Sequence, residues 1–115
     1  TDNLEKIRQI DVLTISHWAY LLEKMENISV GDKTLLDDTT LFLSSECGDG
    51  NGHWHFDLPV VLAGRVGELE MGRYLNVTGT NNYNSPIANL YLTILQDFGL
   101  TLNTFGDDGT TPLSL

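Results

Sequence analysis

Basic residues are scarce in this chain of 115 residues: Lys plus Arg number 6 against 16 Asp plus Glu, a formal charge of −10. A surface so acidic repels phosphate backbones and anionic headgroups, which argues against nucleic acid and membrane surfaces as partners. Cysteine is nearly absent. Cys47 stands alone, so an intrachain disulfide framework and a multi-cysteine zinc site are both excluded. Long apolar runs are missing too, and none approaches the roughly 18 residues of a membrane span. No basic-then-apolar leader opens the chain, although a trimmed or mature chain would read the same way. Internal repeats and low-complexity tracts are also lacking.

What is present is globular in composition. Hydrophobic residues make up 41 % of the chain, enough to exclude wholesale disorder. A single domain spanning 1–115 accommodates this length. Residues 3–29 read as one helix, capped by Asp2 or Asn3, with Leu4, Ile7, Ile15, Trp18, Leu22 and Met25 near one face. Leu13, Leu21 and Ile28 widen that stripe. At about 1.5 Å per residue such a helix is about 40 Å long, a large span for a small domain.

Gly31-Asp32 marks a turn, and residues 39–45 read as a strand. Residues 58–63 read as a second short strand, with Pro59 where no ladder donor is needed, and residues 73–77 as a third. Gly64 to Gly72 is a turn-rich excursion and Gly79 to Asn84 a polar loop. Ser85-Pro86 predicts the start of a second helix, with Ser85 as its cap, and Gly99 its end. The tail from Leu100 reads as a loop able to pack in extended form. The order predicts an α/β fold: a small mixed sheet of about three to four strands, packed by a long N-terminal helix and a second helix near 86–98.

The densest polar cluster, residues 44–57, follows the carboxyl end of an apolar strand, where open α/β sheets place ligands. Glu46, Asp49, His53, His55 and Asp57 are all metal-competent, the first four being the candidate ligand set. In extended backbone, a His-x-His pair points both imidazoles to one side. A neighbouring carboxylate would complete a site for a divalent cation such as zinc or manganese. The competing reading is a solvated loop whose histidines bond to backbone, anchored by Trp54 and Phe56. Cys47 is a candidate ligand or reactive thiol if His53 or His55 folds close, and otherwise a small half-buried residue. The Gly48-x-Gly-x-Gly52 run lacks a following helix and a Gly-Lys-Ser/Thr, so it is not a phosphate loop. Arg73 is one of two basic residues after Lys33; it would bind an anionic substrate or pair with the acidic surface.

Six blocks then occur in one order: Leu-Leu-Asp-Asp-Thr-Thr (35–40), Gly-Asp-Gly-Asn-Gly-His-Trp-His (48–55), Leu-Pro-Val-Val-Leu-Ala-Gly (58–64), Gly-Arg-Tyr-Leu (72–75), Ser-Pro-Ile-Ala-Asn-Leu (85–90) and Phe-Gly-Asp (105–107). With the helix segment Trp-Ala-Tyr-Leu-Leu-Glu-Lys-Met (18–25), this series resembles the C-terminal part of the bacterial HXXSHH family of uncharacterised, often exported proteins. The resemblance covers nearly the whole chain. The motif that names the family is missing and would lie upstream, which implies a fragment of a larger exported or periplasmic protein.

A fainter resemblance extends to the C-terminal half of sulfatases and alkaline phosphatases. There a strand ends in Ser-Asp-His-Gly, whose Asp and His bind metal. Ser45-Glu46-Cys47-Gly48 takes that place here, with His53 or His55 as the later ligand. Glu for Asp keeps an oxygen donor, whereas Cys for His changes the ligand. Two expectations result. One is part of a metal-dependent phosphate- or sulfate-ester hydrolase, inactive alone because its nucleophile lies elsewhere. The other is a non-catalytic binding or assembly module. The apolar stripe on residues 4–28 leads to an expected partner in a second copy or in the missing N-terminal part.

Overall fold

The computed structural model describes residues 2–65, 70–77 and 85–115. The expected 79–84 loop lies outside the described residues, as do residues 66–69 of the expected turn-rich excursion. The architecture is a small α/β fold with a long N-terminal helix, a second helix and two antiparallel two-stranded sheets. The chain divides into two compact units, residues 1–39 and 40–115.

The first unit begins with α1, Asp2–Glu26. Asp2 and Glu5 lie in its first turn and Lys24 in its last, the polarity the helix dipole favours. Lys6 pairs with Asp2 at 2.7 Å, and Arg8 reaches Glu5 through Nε at 2.9 Å and Nη2 at 2.7 Å. The Arg8 guanidinium, with help from Gln9, holds the Glu5 carboxyl below its usual range. No residue of α1 is buried. On its apolar stripe, Trp18, Leu22 and Met25 are half-buried, whereas Leu4, Ile7, Ile10 and Ile15 are exposed.

A hairpin of β1, Ser29–Val30, and β2, Lys33–Thr34, follows. Gly31 sits at φ +64° in the first central position of its two-residue turn, the place where a type II′ turn requires positive φ. Asp37 then closes a local turn: its Oδ2 accepts from the Thr34 amide at 2.8 Å and from the Thr34 hydroxyl at 2.9 Å.

The second unit is built on β3, Thr40–Ser44, and β4, Val60–Gly64, in antiparallel register from Thr40 opposite Gly64 to Ser44 opposite Val60. Paired residues share a face, so Phe42 and Leu62 lie on one side and Leu43 and Val61 on the other. Phe42 meets Tyr91 of α2, Ile87–Asp97, edge to face with ring centroids 5.4 Å apart. Ala88, Asn89, Leu90 and Leu92 are the buried residues of α2, and Leu92 is fully enclosed.

Four local expectations are corrected. The first helix ends at Glu26 rather than at residue 29, and Asp2 and Asn3 lie within its first turn rather than capping it. Ser85 does not cap α2: Pro86 occupies the N-cap position without a side-chain cap bond, and the Ser85 hydroxyl accepts from Asn89 Nδ2 at 2.8 Å. Residues 73–77 are not a strand, because among the described residues they join no ladder. Their β-branched and aromatic content favours a strand only where a partner edge supplies hydrogen bonds. The end of α2 is as expected: Gly99, at φ +83°, donates to the Gln96 carbonyl while Leu100 donates to Leu95, a paired closure of the last turn.

The tail packs back on α2 through polar anchors. Asn89 Oδ1 accepts from the Thr110 and Thr111 amides at 2.9 and 3.0 Å, and the Thr93 hydroxyl accepts from the Leu113 amide at 2.7 Å. Gly109 is required there, since a Cβ would collide with the Phe105 carbonyl and lie 2.8 Å from that of Ala88.

Candidate functional site

The polar loop between β3 and β4 is a small built structure. Gly48 donates to the Trp54 carbonyl at 2.8 Å and Trp54 donates to that of Asp49 at 3.1 Å, closing an antiparallel bridge. Across the tip, Asp49 Oδ1 accepts from the amides of Asn51 and Gly52 at 2.8 and 2.9 Å. This side-chain turn explains why Asp opens the Asp49-Gly50-Asn51-Gly52 tip. Gly52 leaves room for the Trp54 indole, whose Nε1 would stand 2.6 Å from an added Cβ. Gly48 is equally constrained, because a Cβ there would collide with the Phe56 carbonyl oxygen. His53 and Asp57 adopt positive φ, 49° and 55°, so the chain reverses sharply around the bridge.

The side chains of Trp54 and Phe56 stack with centroids 5.3 Å apart and planes 15° from parallel, and both are about half exposed. His55, between them in sequence, places Nδ1 3.0 Å from the Glu46 carbonyl oxygen. With a proton on Nδ1, that bond fixes the ring and leaves Nε2 as its lone-pair nitrogen. His53 and the Glu46 side chain are exposed, and Cys47 and Asp49 are intermediate. The backbone of Cys47 is held by the Ser45 hydroxyl at 3.2 Å. Among the described residues, no group of three or more His, Cys, Asp or Glu side chains gathers closely enough to hold a metal ion. The bond from His55 thus reaches the main chain of Glu46, and the structure joins no other pair among Glu46, Cys47, Asp49, His53 and His55 by a side-chain bond. Arg73 binds Glu70, Nε to the carbonyl at 3.1 Å and Nη1 to the carboxylate at 3.5 Å, and borders the same hollow as His55.

Two hollows lie among the described residues of the second unit. A smaller one of about 300 Å³ is at the carboxyl end of β3, where the side chains of Phe42, Glu46, Leu58, Ile87 and Tyr91 meet. The larger, about 940 Å³, is a groove along β4, with residues 70–77 and the start of α2 also on its walls. The sequence reading missed this groove. The signal was the uncharged run from Leu58 to Gly64, which carries none of the charges that usually guard an open strand edge.

No family model, curated protein or solved structure matches the chain.

Proposed function

We propose that the chain is a non-catalytic assembly module, docking on a second copy through the first half of α1. One observation carries this reading. The apolar stripe of α1 is as wide as that of a core-facing helix, yet Leu4 is 71 % and Ile10 62 % exposed, with Ile7 and Ile15 also at the surface. Burying each such side chain stabilises by about 1.5–3 kcal/mol, whereas surface ion pairs such as Lys6–Asp2 contribute about 0–1 kcal/mol. The stripe, and not the charges beside it, therefore governs what α1 does. The loop at 46–57 is in this reading a structural hairpin, its amides and one imidazole engaged by its own backbone and by Asp49.

A second reading is supported by His55. An imidazole whose Nδ1 is tied to a carbonyl is oriented as metal-binding histidines are, with Nε2 available. It makes the chain one part of a metal-dependent phosphate- or sulfate-ester hydrolase, with Glu46, His53, His55 and Asp49 as candidate ligands for zinc or manganese. Cys47 is a further donor on the same loop.

Light scattering over a rising concentration series separates the two. The chain self-associates and the Ile7→Glu/Ile10→Glu variant stays monomeric. A monomer at all concentrations overturns the assembly reading. Calorimetric titration with zinc and manganese then decides the loop: one equivalent bound by the chain and lost in His53→Ala/His55→Ala favours the hydrolase reading.

A further inference from the structure

The groove along β4 carries an inference of its own, independent of α1. Residues 58 to 62 line it consecutively, so both faces of the strand border it and the groove follows the strand's edge. Among the described residues β4 is paired with β3 alone, which leaves its outer row of amides and carbonyls without a ladder. The opposite wall is residues 70–77, an irregular run that contains the segment expected as a third strand. Two backbones that join no ladder on these sides among the described residues thus border one slot. The five consecutive residues 58–62, three of them in β4, give it a usable length of about 16 Å at about 3.3 Å per residue. The side chains of Leu62, Ile87, Leu90 and Leu113 supply an apolar wall.

The charges on the slot select among extended occupants. Its described lining holds three carboxylates, Asp57, Glu70 and Asp108, and one guanidinium, Arg73, which is already paired with Glu70. An unprotected strand edge asks for another strand, because its donors and acceptors are spaced for one. The acidic border asks for positive charge at the ends of that strand. We propose that the slot accepts an extended peptide segment as an added strand on the free edge of β4, with apolar side chains at alternate positions and Lys or Arg at its ends.

The test uses the whole isotope-labelled chain and two synthetic probes, acetyl-Lys-Val-Thr-Val-Lys-amide and its counterpart with Glu for both Lys. In the free chain the outward amides of β4 exchange rapidly. The Lys peptide shifts resonances of residues 58–62 and 73–77, slows exchange along β4, and binds about tenfold more tightly than the Glu peptide. The Asp57→Asn/Asp108→Asn variant, in which Asn suits the positive φ of residue 57, folds normally and loses most of that preference. Four results overturn the proposal: outward β4 amides already protected in the free chain, no shifts up to millimolar Lys peptide, shifts confined to other surfaces, or equal binding of the two peptides.

Discussion

Asn89 ties α2 to the tail of the second unit. It lies on α2 between Ala88 and Leu90, is 6 % exposed, and satisfies two backbone amides of the tail while donating to the Ser85 hydroxyl. Three hydrogen bonds depend on its side chain, and each such bond contributes about 0.5–1.5 kcal/mol to stability. Asn89→Ala should therefore destabilise the second unit by about 2–4 kcal/mol. Urea unfolding will register this as a lower midpoint, while Asn103→Ala, in the exposed tail, should leave the midpoint unchanged. Asn89 was visible in the sequence only as a polar residue within an apolar helical run. Its partners in the tail are 21 and 22 residues away, and periodicity carries no information about contacts at that range. The 46–57 loop shows the same division. Its polar residue types were legible, but the positive φ of His53 and the capture of the Asn51 and Gly52 amides by Asp49 are products of the folded turn. Extended alternation, the premise for placing both imidazoles on one side, does not apply across a sharp reversal.

Among the elements, both helices were legible, although α1 stops at Glu26 and not at residue 29, and they differ most in surroundings. The 3.6-residue period located both, and Gly99 fixed the end of α2, because these signals act within one turn. The strand at 73–77 failed for the opposite reason, since a strand exists only with a partner and none is paired to it among the described residues. Burial separates the helices further. α2 buries four residues and α1 none. Hydrogen exchange follows the local cost of opening, which rises with buried apolar contact. Amides in the first half of α1, up to about Ile15, should exchange much faster than those of Leu90 to Ile94. Measurement at low protein concentration isolates the single copy. Equal protection of the two segments under that condition would mean that α1 gains its stability from contacts other than its own backbone and side-chain pairs.

At the scale of the whole molecule, apolar attraction and like charge oppose each other. Each copy carries a formal charge of −10, so two copies repel at neutral pH whatever surface joins them. The exposed stripe of α1 attracts through the hydrophobic effect, which salt does not screen. Salt shortens the Debye length from about 30 Å at 0.01 M to about 8 Å at 0.15 M and so removes mainly the repulsion. Self-association through α1 should therefore strengthen as salt rises. It should strengthen again as pH falls from 7 toward the pI of about 4.3, where the net charge vanishes. An assembly held by intermolecular ion pairs has the opposite salt dependence, because screening weakens the contacts that hold it together. Sedimentation velocity across a sodium chloride series at pH 7 reads the sign directly. A sedimentation coefficient that rises with salt in the chain, and stays at the monomer value in Ile7→Glu/Ile10→Glu, places the attraction on the apolar face of α1. A coefficient that falls with salt would move it to the charged residues beside that face, Asp2, Glu5, Lys6 and Arg8, whose pairs within one helix would then have to exchange for pairs between copies.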